Sequence, residues 1–151
     1  MSRHPIVLLV HNIRSMWNVG SIFRCADAFG VAHIHFSGYT PRPPRMEISK
    51  TALGADGWIP WSSESDPLDV VTKRRKEGYA ILSLEKTTES QPISTYNVRS
   101  PACLSICNEI LGVDKALLGA SDAILHIPMS GKKESLNVSV ALGVALYQLS
   151  A

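Results

Sequence analysis

Cysteine is scarce in this chain of 151 residues: there are three, Cys25, Cys103 and Cys107. So few, and an odd number, cannot complete a disulfide framework. No CxxC or HxxxH pair supplies zinc-ligand spacing. Buried thiols and no metal are the expectation. Long apolar runs are also missing, and none approaches the roughly 18 residues a membrane-spanning helix needs. The first run, Ile6–Val10, is short and ends in His11-Asn12-Ile13-Arg14, which is not the pattern of a secretory leader. A soluble, cytoplasmic protein without membrane contact is expected. Excess charge is missing too: 15 basic against 13 acidic residues leave a net +2. A polyanionic partner would need those basic residues gathered on one face. The densest run, Lys73-Arg74-Arg75-Lys76, falls late in a predicted helix, where it complements the macrodipole and reads as a solvated helix end.

Glycine-rich phosphate loops are absent as well. The dinucleotide fingerprint needs three glycines between the first strand and helix. Here that turn reads Asn18-Val19-Gly20-Ser21-Ile22-Phe23-Arg24, with one glycine. Gly131-Lys132 fails as a phosphate loop, because His126 stands where its earlier glycine belongs and Lys133 replaces the Ser or Thr. What the chain does have is an apolar fraction of 45%, which excludes disorder and supplies the core of a single domain.

Short β-rich runs alternate with helical segments. Strands are predicted at Ile6–Val10, Ala32–Phe36, Trp58–Trp61, Tyr79–Leu84, Ala102–Ile106 and Ala123–Ile127. Helices are predicted at Val19–Phe29 with Gly30 as the stop, at Glu47–Leu53 ended by Gly54, and at Pro67–Glu77 capped by Asp66. A helical turn is predicted at Asp114–Leu118 and a last helix at Ser135–Leu149. Pro41–Arg45 is a stiff loop, and Glu85 to Ser100 is polar and turn-rich. The last helix is apolar nearly all round, with a stripe of Leu136, Val140, Val144 and Tyr147. Such a helix is buried on several sides, often in a subunit interface. The alternation argues for an α/β, Rossmann-like parallel sheet with helices on both faces. Ligands in such sheets sit beyond the carboxyl ends of the strands. Asn12, Arg14, Trp17, Asn18 and Gly20 follow the first strand. Glu85 follows the fourth, Cys107, Asn108 and Glu109 the fifth, and the segment 128–137 the last.

Those loops carry three motifs. Asn18-x-Gly20-x-x-x-Arg24 is the first and Asn108-Glu109-x-x-Gly112 the second. The third is Ile127-Pro128-Met129-x-Gly131-x-x-x-Ser135-Leu136-Asn137-Val138-Ser139-Val140-Ala141. Together they resemble the motifs of the SpoU-type (TrmH-like) RNA 2′-O-ribose methyltransferases of the SPOUT superfamily, over Ile6 to Leu149. One departure is Cys107, where the family usually has Gly before the Asn-Glu pair; its side chain would narrow the pocket.

The resemblance implies transfer of a methyl group from S-adenosylmethionine to a ribose 2′-hydroxyl in tRNA or rRNA. It implies a parallel α/β sheet ending in a C-terminal trefoil knot, which the usual topology rules would not suggest. It also implies a homodimer with the active site near the interface. The chain, 1–151, would be one catalytic domain with no separate RNA-binding extension. Implied catalytic residues are Arg24, Asn18, Glu109, Ser135 and Asn137. Implied cofactor residues are Leu84, Cys107, Asn108, Glu109, Gly112, Ile127, Met129, Gly131, Ser135, Leu136 and Asn137. For Asn18 and Asn137 the residues alone also allow turn and helix-start chemistry, and for Ser135 an N-cap. RNA contacts are expected from Arg14, Arg42, Arg45, Lys132 and Lys133. A guanidinium gives up its proton only reluctantly, so a two-pronged grip on an RNA phosphate suits Arg24 better than the role of base. The competing readings are a catalytically inert RNA-binding relative on the same fold, and a nucleotide-dependent reductase, against which the missing glycine fingerprint counts.

Overall fold

The computed structural model describes residues 4–108 and 113–150. In chain order the elements are β1 (Ile6–His11), α1 (Met16–Phe29), β2 (His33–Ser37), α2 (Met46–Ala52), β3 (Trp61–Glu64), α3 (Pro67–Lys76), β4 (Ala80–Leu84), β5 (Gln91–Pro92), β6 (Ala102–Cys107), α4 (Lys115–Gly119), β7 (Ala123–His126) and α5 (Val138–Ser150). Single 3₁₀ turns lie at Ala55–Gly57 and Ile93–Thr95. The strands form one sheet in the order β3-β2-β1-β6-β4-β7-β5, and its strand pairs are parallel. Side chains alternate across a strand, so Ile6, Leu8 and Val10 join Ile34, Phe36, Leu104 and Ile106 on one face. That layer is closed by Val19, Ile22 and Phe23 of α1, Ile48 of α2, and Leu142, Leu146 and Leu149 of α5. Val7, Leu9, Ile81 and Cys103 face the other way, against Val70 and Val71 of α3 and Leu117 of α4. Both faces are covered, which is why β1 and β6 are apolar along nearly their whole length.

Several elements differ from their sequence-based bounds. The first helix starts at Met16, because Ser15 Oγ accepts from Asn18 N at 3.2 Å and caps it. Trp17, Asn18 and Gly20 therefore lie in its first turns instead of the loop. The second helix ends at Ala52, with Leu53, itself left-handed (φ 52°), as its cap before Gly54. The third strand is Trp61–Glu64, not Trp58–Trp61. Ile59 is buried in the core, and Pro60 lends only its carbonyl, to Ile34 N at 3.0 Å. The polar residues that follow pair with histidines of β2. Ser62 Oγ accepts from His33 Nε2 (2.8 Å) and donates to Glu64 Oε1 (2.7 Å), which also accepts from His35 Nδ1 (3.1 Å). Arg74 completes the cluster by donating to His35 Nε2, so this member of the basic run is not simply solvated. Burial first, then the nearby His35 ring and the Arg74 and Lys73 cations, push the His33 pKa down to about 4. The polar stretch after β4 holds the short β5, which the sequence did not indicate. The last helix begins at Val138, and Leu136 lies ahead of it.

Gly20 sets the spacing of α1 and α2. A Cβ there would fall 1.9 Å from Thr51 Oγ1 and 2.3 Å from the Ile48 carbonyl oxygen. The hydroxyl could rotate away, but the backbone oxygen cannot. Thr51 Oγ1 donates to the Trp17 carbonyl at 2.8 Å, tying the helices at the same point. Gly20→Ala is expected to destabilise the fold by about 2–3 kcal/mol, near the upper end for overpacking, read as a lowered urea midpoint. An unchanged midpoint would show that α1 and α2 separate freely.

Candidate active site

The parallel sheet sends every strand–helix connection out at its carboxyl edge, and the expected residues gather there. Two of these connections are joined. Asn12 is left-handed (φ 56°) and its Oδ1 accepts from Tyr39 N at 3.1 Å. Ile13 N donates to Thr40 Oγ1 at 3.2 Å, and that hydroxyl donates to the Ser37 carbonyl at 2.8 Å. Beside them, Asn18 of α1 meets Asn137, the residue that opens α5. Asn137 Oδ1 accepts from Ser139 N (2.9 Å) and Ser139 Oγ (2.6 Å), which makes it the helix cap. With the oxygen fixed inward, its Nδ2 faces out and donates to Asn18 Oδ1 at 3.2 Å. One side chain thus caps α5 and bridges to Asn18. Ser135 is not the cap; it lies before the helix and lines a cleft.

That cleft, about 650 Å³ counting its open mouth, lies between the ends of β4, β6 and β7 and the start of α5. Its walls include Leu84, Ile106, Cys107, Ile127, Met129 and Leu136, and its polar lining includes Glu85, Asn108, His126, Glu134 and Ser135. Apolar walls with a polar rim suit a ligand with a flat ring and a polar tail. Glu85 Oε2 accepts from Val113 N at 2.7 Å and so ties the β4 end to the chain entering α4. The Cys107 thiol is pushed up to about 12, chiefly by burial, with the Glu85 carboxylate adding. It stays protonated and serves as wall, not nucleophile.

Leu84, Cys107, Asn108, Ile127, Met129, Ser135 and Leu136 therefore share one cavity, as the motifs imply. Asn137 lies one residue outside its lining. Gly131 is exposed in the loop between β7 and α5, and a Cβ there would meet no protein atom within 4 Å. Glu109 and Gly112 lie outside the described residues. Arg24 is exposed on α1, with no hydrogen bond among the described residues, about one and a half turns beyond Asn18. Sequence reasoning did not select His126, Glu134 or Ile106. His126 is held by Ser90 Oγ at 2.8 Å, from the turn before β5, a contact made only by folding. Of the basic residues, Arg14, Arg42, Arg45, Lys132 and Lys133 are all exposed. Arg42 bonds Ser63 of β3, and Arg14 lies over the Tyr39 ring.

Because Asn137 makes both the cap and the bridge while Asn18 makes the bridge, their substitutions should differ. Asn137→Ala is expected to cost about 1 kcal/mol more than Asn18→Ala, the usual worth of a cap, in chemical denaturation. Equal losses would mean the cap contributes nothing.

The SpoU rRNA Methylase family model matches residues 5–147. The tRNA (guanosine(18)-2′-O)-methyltransferase of Aquifex aeolicus is 26% identical over 144 residues, covering 95% of this chain and 67% of that protein. The AdoMet-bound rRNA methyltransferase of Sinorhizobium meliloti superposes with a TM-score of 0.90 at 26% identity, over 98% of this chain and 56% of that one. A structure concerned with 2-OH methylation of C/U34 on tRNA shares the fold at a TM-score of 0.82 and 21% identity, over 97% of this chain and 94% of that one. The chain thus spans between about half and two thirds of the length of the first two relatives. With the family model covering nearly all of it, the chain belongs to the SpoU rRNA Methylase family.

Proposed function

We propose that this protein transfers the methyl group of S-adenosylmethionine to a ribose 2′-hydroxyl of tRNA or rRNA. The observation that carries this reading is the convergence of the cleft with the Asn18–Asn137 bridge one residue from its wall. The cleft residues fit the cofactor: Leu84, Ile106, Ile127 and Leu136 offer apolar surface to an adenine ring, and Glu85, Asn108 and Ser135 offer partners to its polar parts. Bound there, S-adenosylmethionine supplies a methyl group that is already electrophilic, so the chain's task is to align the hydroxyl and relieve it of its proton. Asn18 and Asn137 position the ribose from the mouth of the cleft, and Ser135 orients it. Arg24, free of partners among the described residues, grips the phosphate beside the target ribose with its planar fork. Arg14, Arg42, Arg45, Lys132 and Lys133 hold the RNA backbone. Glu109, Gly112 and Gly131 remain part of this reading through the family motifs.

The family's C-terminal trefoil knot belongs to the same proposal. It is supported by β7 lying between β4 and β5 while α5 returns to pack on α1 and on the 93–95 turn. A homodimer is supported by a stripe of α5 that the sheet leaves uncovered: Val140, Val144 and Tyr147 are 51%, 42% and 70% exposed. Val138 and Leu142, by contrast, face the core with Leu149. We take the chain as one catalytic domain working in the cytoplasm. No helix among the described residues is long and apolar enough to cross a membrane.

The test is methyl transfer from labelled S-adenosylmethionine to bulk RNA from cells lacking the protein, followed by mapping of the modified nucleotide. A 2′-O-methylated ribose is expected. Arg24→Ala should abolish turnover, a loss of about 2–4 kcal/mol in transition-state stabilisation, while cofactor binding by calorimetry persists, and Arg24→Lys should rescue little. Near-normal single-turnover rates in Arg24→Ala would make Arg24 a helix-surface residue and remove the proposed grip.

A further inference from the structure

An exposed tyrosine sits on the most heavily tied part of the carboxyl edge. Tyr39 is 47% exposed, yet the backbone beneath it is fixed at several points. Its own N–H is bound by Asn12 Oδ1. Gly38 before it is left-handed (φ 65°), and a Cβ there would lie 1.9 Å from that same oxygen. Thr40 after it is buried and bridges to Ile13 N and the Ser37 carbonyl. The guanidinium of Arg14, from the neighbouring connection, lies 5.5 Å from the centre of the Tyr39 ring. A left-handed asparagine and a glycine that cannot be replaced are spent on presenting one aromatic ring to solvent. An apolar ring that merely needed shelter would be turned inward.

We propose that Tyr39 and Arg14 form a stacking seat for one unpaired base of the RNA, next to the nucleotide whose ribose reaches the Asn18–Asn137 bridge. This rests on the RNA methyltransferase reading and adds to it a contact to a base, by Tyr39 with Arg14, where that reading had contacts to the RNA backbone alone. The chemistry of the pair selects that occupant. An aromatic face and a planar guanidinium both stack on a base, and every base offers such a face only when it is out of a helix. The adjoining charges, Arg42 and Arg45 in the same connection, suit the flanking phosphates. A rigid backbone means that little ordering entropy is lost when the base arrives. Arginines flanking the ring, Arg14 over it and Arg42 and Arg45 beside it, suit a polyanion better than an apolar protein surface.

The test compares two RNA probes of equal length and charge: a stem closed by a seven-nucleotide loop carrying 2-aminopurine, and a blunt duplex. For the whole chain, Tyr39→Ala should weaken stem-loop binding about tenfold, the scale of one lost base–aromatic stack, and abolish quenching of the 2-aminopurine. Tyr39→Phe and Tyr39→Trp should retain both. Duplex affinity and calorimetric S-adenosylmethionine affinity should not change, and Trp58→Ala, an exposed aromatic bonded to Asp27, serves as the control for general aromatic stickiness. Equal losses on loop and duplex, failure of Tyr39→Phe, or an unaltered stem-loop affinity in Tyr39→Ala would each overturn the seat. The last outcome would leave the ring to a protein partner. If the unsubstituted chain neither binds nor methylates RNA, the underlying reading fails; if it does both and Tyr39→Ala matches it, only this inference fails.

Discussion

Asn137 has two demands to meet with one amide. The helix behind it needs an acceptor for its first N–H groups, and the asparagine across the cleft mouth needs a donor. Because the oxygen is committed to Ser139, the nitrogen must face Asn18, and residues 119 positions apart are brought together. A partly exposed amide bond of this kind adds only about 1 kcal/mol of net stability. The holding force lies below it, where α1 and α5 pack and Ile22, Phe23 and Ala26 share one buried cluster with Leu142 and Leu146. The bridge spends that packing on orientation. Ser135 and Leu136 line the cleft immediately before it, so the cap of α5 also sets where the cleft wall stops.

The sheet makes this possible. A parallel sheet covered on both faces has its loops at two edges, and the strand ends bearing Asn12, Glu85, Asn108 and Pro128 all open on the same one. Side chains that work at that edge are held by side-chain-to-backbone bonds instead of by burial. Asn12 holds Tyr39, Glu85 holds Val113, and Ser15 holds Asn18. The polar groups that do lie in the interior are paired: among the described residues no buried side-chain nitrogen or oxygen lacks a partner. The Ser83–Ser105 and Ser83–Ser121 contacts under α4 and the His35 cluster under α3 are the main examples.

How much of this was legible before folding depended on how local its cause was. Asp66-Pro67 announced α3 correctly, because cap and first turn are adjacent in sequence. Gly30 ended α1 for the same reason. β3 was misplaced because its signal is tertiary: Ser62 and Glu64 become strand residues by meeting His33 and His35, and no apolar alternation marks them. The start of α5 was set too early because Leu136 continues the apolar run, though its side chain belongs to the cleft. Gly20 appeared in the motif without a reason; the reason is the Ile48 carbonyl, nearly thirty residues on. The cleft walls contributed by the family motifs were identified, whereas His126 and Glu134 had no sequence signal beyond standing near strand ends.

Where the cofactor sits decides which side chains can meet the ribose, and hydrogen exchange reads that position directly. On adding S-adenosylmethionine, slower exchange is expected at 84–86, at 106–108 and across 126–138, with α3 and the 38–45 connection unchanged. Protection centred on the 38–45 connection, or none at saturating cofactor, would contradict it.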